Sequence, residues 1–190
     1  DRSFYKGFAN LLTPLEKAYC AQRGFDVCVQ AVQVYGGYGY VKEYPVEQLV
    51  RDCKITSIYE GTDGIQAMDL LGRKLGMEKG QVFIRFLGEI QKTIAMARES
   101  SELDDLANEL EIAVNKLGEV AMHIGATAME NRMAAFAFAH PFMEVAGDVI
   151  MAWQLLWLNA ALLTVRILWV SMLKLNQIYD PIICCSVNHN

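Results

Sequence analysis

Proline, histidine and excess positive charge are scarce in this sequence, and each scarcity argues against a class of protein. Only 4 of the 190 residues are proline, so helices are favoured over a turn-rich β fold. Seventeen basic residues against 22 acidic ones give a net charge of −5, which argues against nucleic acid as a partner. The three scattered histidines do not predict a metal site, and His123 is expected to be an interior side chain.

The cysteines lack the spacing that a disulfide framework or a zinc site requires. Their number is odd and no Cys-x-x-Cys pair occurs; they are Cys20, Cys28, Cys53, Cys184 and Cys185. We therefore expect reduced thiols in a cytosol-like compartment. The sequence opens without a signal peptide or a Met, and we expect it to be a fragment of a larger polypeptide.

A helix with clear start and stop signals is predicted in the first forty residues. Thr13 can cap it, Pro14 suits its first position and Glu16 completes a capping box. Gly36 and Gly37 then end it, because glycine tolerates the left-handed conformation of a helix terminus. The glycine- and tyrosine-rich stretch that follows, YGGYGYVKEYP, is expected to be a loop.

Apolar residues make up 53% of the chain, and their spacing predicts an all-α helical bundle. Further helices are predicted at 46–54, from about 62 to 75, at 81–98 and from 103 to about 133. The long ones are amphipathic, with the stripes Val82, Phe83, Phe86, Leu87, Ile90, Ile94, Ala97 and Leu106, Leu110, Val114, Leu117, Ala121, Ile124, Met129. The short links between them favour antiparallel packing.

A strongly apolar stretch after His140 raises the question of a membrane span. Its segment VIMAWQLLWLNAALLTV is close to the about 20 apolar residues that cross a bilayer. Gln154 and Asn159 lie inside it, and intramembrane polar groups are costly. A buried or interface helix, without a membrane span, is therefore predicted.

The stretch SIYEGTDGIQ, residues 57–66, places Glu60 among apolar neighbours and beside Gly61. A carboxylate in a desolvated pocket makes a better general base, and a glycine lets a ligand approach closely. Thr62 would open a helix whose N–H groups favour an electron-rich acceptor. A solvated surface glutamate is the alternative that these residues leave open.

The stretch QVYGGYGY, from Gln33 onward, could lay backbone N–H groups against a pyrophosphate. It is not a Gly-x-Gly-x-x-Gly fingerprint and no strand precedes it, so a Rossmann fold is not indicated. An ordinary helix stop explains it equally well from the residues alone.

Together, QVYGGYGYVKEYPVEQLVRDCKITSIYEGTDGIQ closely resembles the C-terminal signature of acyl-CoA dehydrogenases. A weaker resemblance continues through AMDLLGRKL and the long helices to about Trp157, and it is similar to the subgroup with an extra C-terminal helical extension. It implies residues 1–76 as the later part of the C-terminal helical domain and 77–190 as the extension. The tail from about Leu158 onward does not look like the family's ending.

The resemblance also implies roles for single residues. Glu60 matches the base that removes the α-proton of an acyl-CoA thioester while the β-hydride passes to FAD, giving a trans-2-enoyl-CoA. Gly61 matches a position that borders the substrate. The implied flavin contacts are Gln33, Val34, Tyr35, Gly36 and Gly37 across a subunit interface, and Thr62, Asp63 and Gly64, although many relatives have glutamine in place of Gly64.

For the whole protein, the resemblance implies an FAD-dependent enzyme that passes electrons to an electron-transferring flavoprotein. It implies a homo-oligomer, a dimer or tetramer, in the cytoplasm or in the mitochondrial matrix of a eukaryote. The 190 residues alone are expected neither to hold FAD nor to turn over substrate. The alternative is a helical interaction or oligomerisation module in which Glu60 is idle; relatives that protect nucleic acid are a third option, which the acidic balance disfavours.

Overall fold

The protein is helical throughout the described part of the chain. The computed structural model describes the backbone of residues 2–187 and the side chains of residues 2–163. Within that range there is no strand, and the all-α prediction is confirmed. The helices are α1 (Arg2–Leu15), α2 (Ala21–Tyr35), α3 (Gly37–Tyr40), α4 (Val46–Lys54), α5 (Asp63–Asp69), α6 (Gln81–Ala97), α7 (Asp104–Glu130), α8 (Arg132–Phe136) and α9 (Ala139–Val187).

The first helix does not begin at Thr13, and the predicted capping box is wrong. A five-residue π turn, Glu16–Cys20, joins α1 to α2 without a break in the helix. The Thr13 hydroxyl donates to the Ala9 carbonyl at 2.8 Å, and Pro14 lies buried inside α1. Burial of the apolar side of α1 therefore outweighs the local signals for a helix start.

Helices α1, α6, α7 and α9 enclose one hydrophobic core. The α6 stripe is confirmed, since its seven residues are buried or packed against the core. On α7 the core positions are Ala107, Leu110, Val114, Leu117, Ala121 and Ile124. Leu106 and Met129 were predicted in the α7 stripe but are exposed. Each fully buried large side chain contributes about 1.5–3 kcal/mol, so this core stabilises most of the fold.

A polar contact between α9 and α6 lies at this core. The Trp153 indole N–H on α9 donates to the Thr93 hydroxyl on α6 at 2.7 Å, and Thr93 is buried. The pair ties α9 to α6 while satisfying both groups, as buried polar groups require.

A sharp reversal separates α5 from α6. The link Met77–Gly80 contains three successive left-handed residues, Glu78 (φ 49°), Lys79 (φ 57°) and Gly80 (φ 84°). The link falls at the predicted boundary between residues 1–76 and 77–190. The hydrophobic core includes residues from both sides, so the two predicted units pack together, and the division into domains stays a prediction.

Helix α9 has the length and apolar composition of a membrane span over Ala139–Leu163. One side of that segment packs into the core; its buried residues are Ala139, Phe142, Met143, Ala146, Val149, Leu156 and Ala160. The core helix of a soluble protein has the same features, so the predicted absence of a span stays a prediction. The tail from residue 164 onward, including Cys184 and Cys185, lies outside the residues whose side chains the structure describes.

Between α7 and α9 an open apolar cavity of about 580 Å³ is lined by Leu117, Phe142, Val149 and other side chains. His123 lies at its edge and is exposed, so its predicted interior position is wrong. Position 123 directly precedes the core residue Ile124, and adjacent residues of a helix face different directions, so His123 lies outside the core.

Helices α2, α3 and α4 form a separate unit, which we call the arm. Its main contact is between α2 and α4. Among the described residues, α2 has no fully buried side chain, and Val46 is the buried residue of α4. The predicted glycine-rich loop is partly helical, because Gly37–Tyr40 forms α3. Cys28 and Cys53 lie at this contact as free thiols, and burial, followed by the neighbouring Cys53, raises the pKa of Cys28.

Candidate functional site

The turn that carries Glu60 has an unusual backbone. Glu60 has φ of 56° and Gly61 has φ of 89°, so two successive residues are left-handed. For glutamate this conformation costs roughly 1–2 kcal/mol, and it persists only where the surroundings hold it. The turn follows the short 3₁₀ segment Ile55–Ser57 and precedes α5.

Two side chains hold this turn through its carbonyl groups. The Gln66 amide on α5 donates to the Glu60 carbonyl at 3.0 Å. The Lys17 ammonium on the π turn donates to the Gly61 carbonyl. A Cβ at position 61 would lie 2.9 Å from Gln66 Nε2 and 3.3 Å from Ile65 Cγ2, so space and φ both require glycine there.

The Glu60 side chain itself is exposed. Its apolar neighbours Ile58, Tyr59 and Ile65 are exposed by 53%, 51% and 50%. Together they form an open apolar surface around a carboxylate, whereas the sequence predicted a desolvated pocket. A closed pocket at this place requires atoms other than those of the described residues, and the catalytic role of Glu60 stays a prediction.

The three residues after Gly61 lie in different surroundings. Thr62 is extended at the start of α5 and its side chain makes no capping hydrogen bond. Asp63 lines a cavity of about 60 Å³ together with Tyr19 and Arg23, and its Oδ1 is buried without a hydrogen-bond partner among the described residues. A Cβ at Gly64 would meet nothing within 4 Å, so a ligand has room there.

The other predicted flavin-contacting stretch ends α2. Gln33, Val34 and Tyr35 are exposed, Val34 by 85%. Gly36 has φ of 61° and its N–H donates to the Gln33 carbonyl at 3.1 Å. A Cβ at Gly36 or at Gly37 would meet nothing within 4 Å, so this end of the arm is open on the side of its glycines.

The two predicted flavin-contacting stretches are far apart in one chain. Lys17, beside the Glu60 turn, and Gln33 lie on the same continuous helix. Sixteen residues of helix span about 24 Å at a rise of about 1.5 Å per residue. The structure therefore does not bring Gln33 next to Glu60.

On the opposite side, the π turn contacts α9. The Tyr19 hydroxyl donates to Asp148 Oδ1 at 2.6 Å, and the Arg23 guanidinium lies 3.5 Å from the same carboxylate and 4.9 Å from the centre of the Tyr19 ring. Burial, and next the hydrogen bond with Asp148, raises the pKa of Tyr19. A Cβ at Gly147 would lie 2.1 Å from Tyr19 Cδ2, so the ring rests on the bare backbone of α9.

Two family models match the chain in succession. The one described as "Acyl-CoA dehydrogenase, C-terminal domain" matches residues 8–76, and the one described as "Acetyl-CoA dehydrogenase C-terminal like" matches residues 86–164. The chain belongs to the acyl-CoA dehydrogenase family, as its C-terminal portion. The first match contains the Glu60 turn and the arm.

Relatives of this acyl-CoA dehydrogenase chain include 3-methylmercaptopropionyl-CoA dehydrogenase of Ruegeria pomeroyi, 35% identical over 81% of this chain and 26% of the relative. Subunit CarC of the caffeyl-CoA reductase–Etf complex of Acetobacterium woodii is 46% identical over 32% of this chain and 16% of its own. Caenorhabditis elegans ACDH-11, solved in complex with C11-CoA, shares the fold with a TM-score of 0.65 at 20% identity, over 79% of this chain and 26% of its own. The chain thus spans about a quarter of the length of the Ruegeria pomeroyi and Caenorhabditis elegans proteins.

Sequence reasoning about this acyl-CoA dehydrogenase chain missed Lys17 and Tyr19. Both were assigned to the body of an ordinary helix, and no local signal links Lys17 to Gly61, 44 residues later.

Proposed function

We propose that the full-length protein is an FAD-dependent acyl-CoA dehydrogenase in which Glu60 removes the α-proton of an acyl-CoA thioester. The observation that carries this is the Glu60–Gly61 turn. It presents a carboxylate from a fixed left-handed backbone, at the centre of an exposed apolar surface, in a chain of this family. Such a surface is suited to cover the acyl chain next to its α-carbon.

Each residue of the turn has a separate task in this proposal. Glu60 accepts the α-proton, and the surrounding Ile58 and Tyr59 exclude water once substrate covers them, which strengthens the base. Gly61 borders the thioester in this proposal, and glycine is required there because a side chain would meet Gln66 and Ile65 and force the turn to change. Binding the substrate between a fixed base and a fixed acceptor supplies the orientation that the reaction needs.

The residues predicted to contact FAD fit such a group in part. Gly36, Gly37 and Gly64 have open space where a Cβ would stand, and Thr62 has no capping bond to occupy its hydroxyl. Asp63 fits less well, because its Oδ1 is buried and the residue lines a small cavity with Tyr19 and Arg23. When bound, FAD would accept the β-hydride as the α-proton leaves.

The distance between the two stretches supports an oligomer. Gln33 to Gly37 and Thr62 to Gly64 are separated by about 24 Å of helix, so we assign them to two different flavins, each shared between subunits. The arm supports this, since its exposed apolar side chains form a surface of the kind that a second subunit covers; they include Val27, Val34, Tyr38, Tyr40 and Leu49.

We further propose an electron-transferring flavoprotein as the acceptor, a suggestion that the name of the caffeyl-CoA reductase–Etf relative supports. The proposed location is the cytoplasm, or the mitochondrial matrix of a eukaryote. The 190-residue chain alone is proposed to be inactive, because Glu60 and the Gly36 end of the arm are open to solvent. Flavin absorbance that stays with the purified chain after dialysis would contradict this.

The test of the base is Glu60→Gln in the full-length enzyme. We expect α-proton exchange of a bound acyl-CoA to fall by at least about 10³-fold, since the amide cannot accept the proton. FAD content, measured by absorbance, should not change. Glu109→Gln, at an exposed position of α7, is the matched control and should keep full exchange. Undiminished exchange in Glu60→Gln would show that Glu60 is not the base. It would favour the alternative in which this chain is a helical interaction module with an idle Glu60.

A further inference from the structure

We propose that Lys17 is a positioning residue for Glu60, and that helix α9 fixes Lys17 through Tyr19. The inference rests on the proposed function, in which Glu60 acts as the base. It adds a physical link between the core helix α9 and the base, a link that passes through the π turn Glu16–Cys20.

The first step is the hydrogen bond from Lys17 to the turn that carries Glu60. Glu60 and Gly61 are both left-handed, and Glu60 would relax to a commoner backbone conformation if nothing held it. Gln66 holds the Glu60 carbonyl from α5, the helix that directly follows the turn in sequence. Lys17 holds the next carbonyl, that of Gly61, from a different helix. Of these two bonds, the one from Lys17 joins the turn to a helical segment that is distant in sequence.

The second step is the π turn itself. Lys17 and Tyr19 lie within the same five residues, Glu16–Cys20, between α1 and α2. A π turn adds a residue to the helical ladder and changes the direction of the side chains around it. Any shift of this short segment therefore moves the Lys17 ammonium and the Tyr19 ring together.

The third step is the contact with α9. Tyr19 donates to Asp148, rests on Gly147 and lies beneath the Arg23 guanidinium. Asp148 and Gly147 belong to the part of α9 whose neighbours Ala146 and Val149 are buried in the core. The core thus fixes α9, α9 fixes Tyr19, and Tyr19 fixes the segment that carries Lys17.

A merely structural role for Lys17 predicts a different result. In that case its loss would lower stability and FAD content, and activity would fall in proportion to both. A positioning role predicts a lower kcat at unchanged FAD content and nearly unchanged KM, because the substrate still binds while the base is displaced.

The experiment compares Lys17→Met with Lys17→Arg in the full-length enzyme. Methionine keeps the apolar stem and removes the donor, so we expect kcat to fall about 10- to 100-fold, the effect of a displacement of about 1 Å. Arginine restores a donor and should recover most of the rate. Lys116→Met, on the exposed side of α7, is the control and should leave kcat unchanged.

The α9 link is tested with Tyr19→Phe, which keeps the ring on Gly147 and removes the bond to Asp148. We expect a several-fold lower kcat, and we expect the double variant with Lys17→Met to be no worse than Lys17→Met alone. Additive losses would overturn the link through Tyr19. Tyr19→Phe also provides the test if Lys17→Met does not fold, since an unchanged kcat in it would overturn the proposal.

Glu60→Gln in the same assay separates the two proposals. Loss of α-proton exchange in Glu60→Gln with an unchanged kcat in Lys17→Met overturns the positioning role alone. Unchanged exchange in Glu60→Gln overturns the proposed function. A parallel fall of kcat and FAD content in Lys17→Met that Lys17→Arg does not rescue identifies a structural role and overturns the inference.

Discussion

The arm and the core bundle are both rich in apolar residues, but they place them in opposite environments. Phe86 and Ile90 of the bundle are exposed by 1% and 0%, whereas Val34 and Tyr40 of the arm are exposed by 85% and 83%. The bundle uses its apolar residues to hold itself together. The arm leaves them on the surface, as expected of a region that another surface covers.

Phe86→Ala is expected to have the largest effect on the stability difference between the bundle and the arm. A cavity at this fully buried ring should lower the free energy of unfolding of the 190-residue chain by about 3–5 kcal/mol. Tyr40→Ala removes an aromatic ring of the arm and should change the free energy of unfolding by no more than about 0.5 kcal/mol. Urea unfolding followed by circular dichroism measures both. Equal losses would mean that the arm stabilises the chain as the bundle does.

A charge placed on the arm tests whether another subunit covers this surface in the full-length protein. Val34→Asp should weaken subunit association by at least about tenfold, equivalent to about 1.4 kcal/mol, because a charged side chain is unfavourable at the centre of an interface. Sedimentation measures the oligomeric state, and FAD absorbance measures the flavin content. Val34→Thr, with a similar shape and no charge, is the control. An oligomer and a flavin content unaffected by Val34→Asp would show that this side of the arm is not covered.

The smallest effect compares two tryptophans of α9. Trp153→Phe removes the bond to Thr93 and should lower the free energy of unfolding by about 1 kcal/mol. Trp157 is exposed by 49%, so Trp157→Phe should have almost no effect. Equal changes in the urea midpoint would mean that the Thr93 bond does not distinguish the buried side of α9 from its exposed side.

The sequence was most informative where one helix face is buried. The predicted range 81–98 agrees with α6 (Gln81–Ala97) to one residue, because its apolar period directly reflects packing against the core. On α7 the predicted stripe was wrong at two positions, because Leu106 and Met129 are exposed while Ala107 and Ala128 beside them are buried or packed against the core. Periodicity shows that a face is apolar, and it does not show which of two adjacent residues turns into the core.

The candidate site was less predictable. Its residue types and order identified the Glu60 turn through the family resemblance, but the left-handed backbone and the Lys17 bond depend on helices far apart in sequence. The helix start at Thr13 was predicted wrongly for a related reason. Burial of Leu11 and Leu15 carries α1 past Pro14, and the π turn after it places Lys17.

The bare backbone of Gly147 has a practical consequence for building chimeras. Since any side chain at that position would overlap the Tyr19 ring, a helix α9 taken from a relative can be grafted here only if it brings a glycine at this point. A donor sequence can therefore be screened at position 147 before any gene is synthesised.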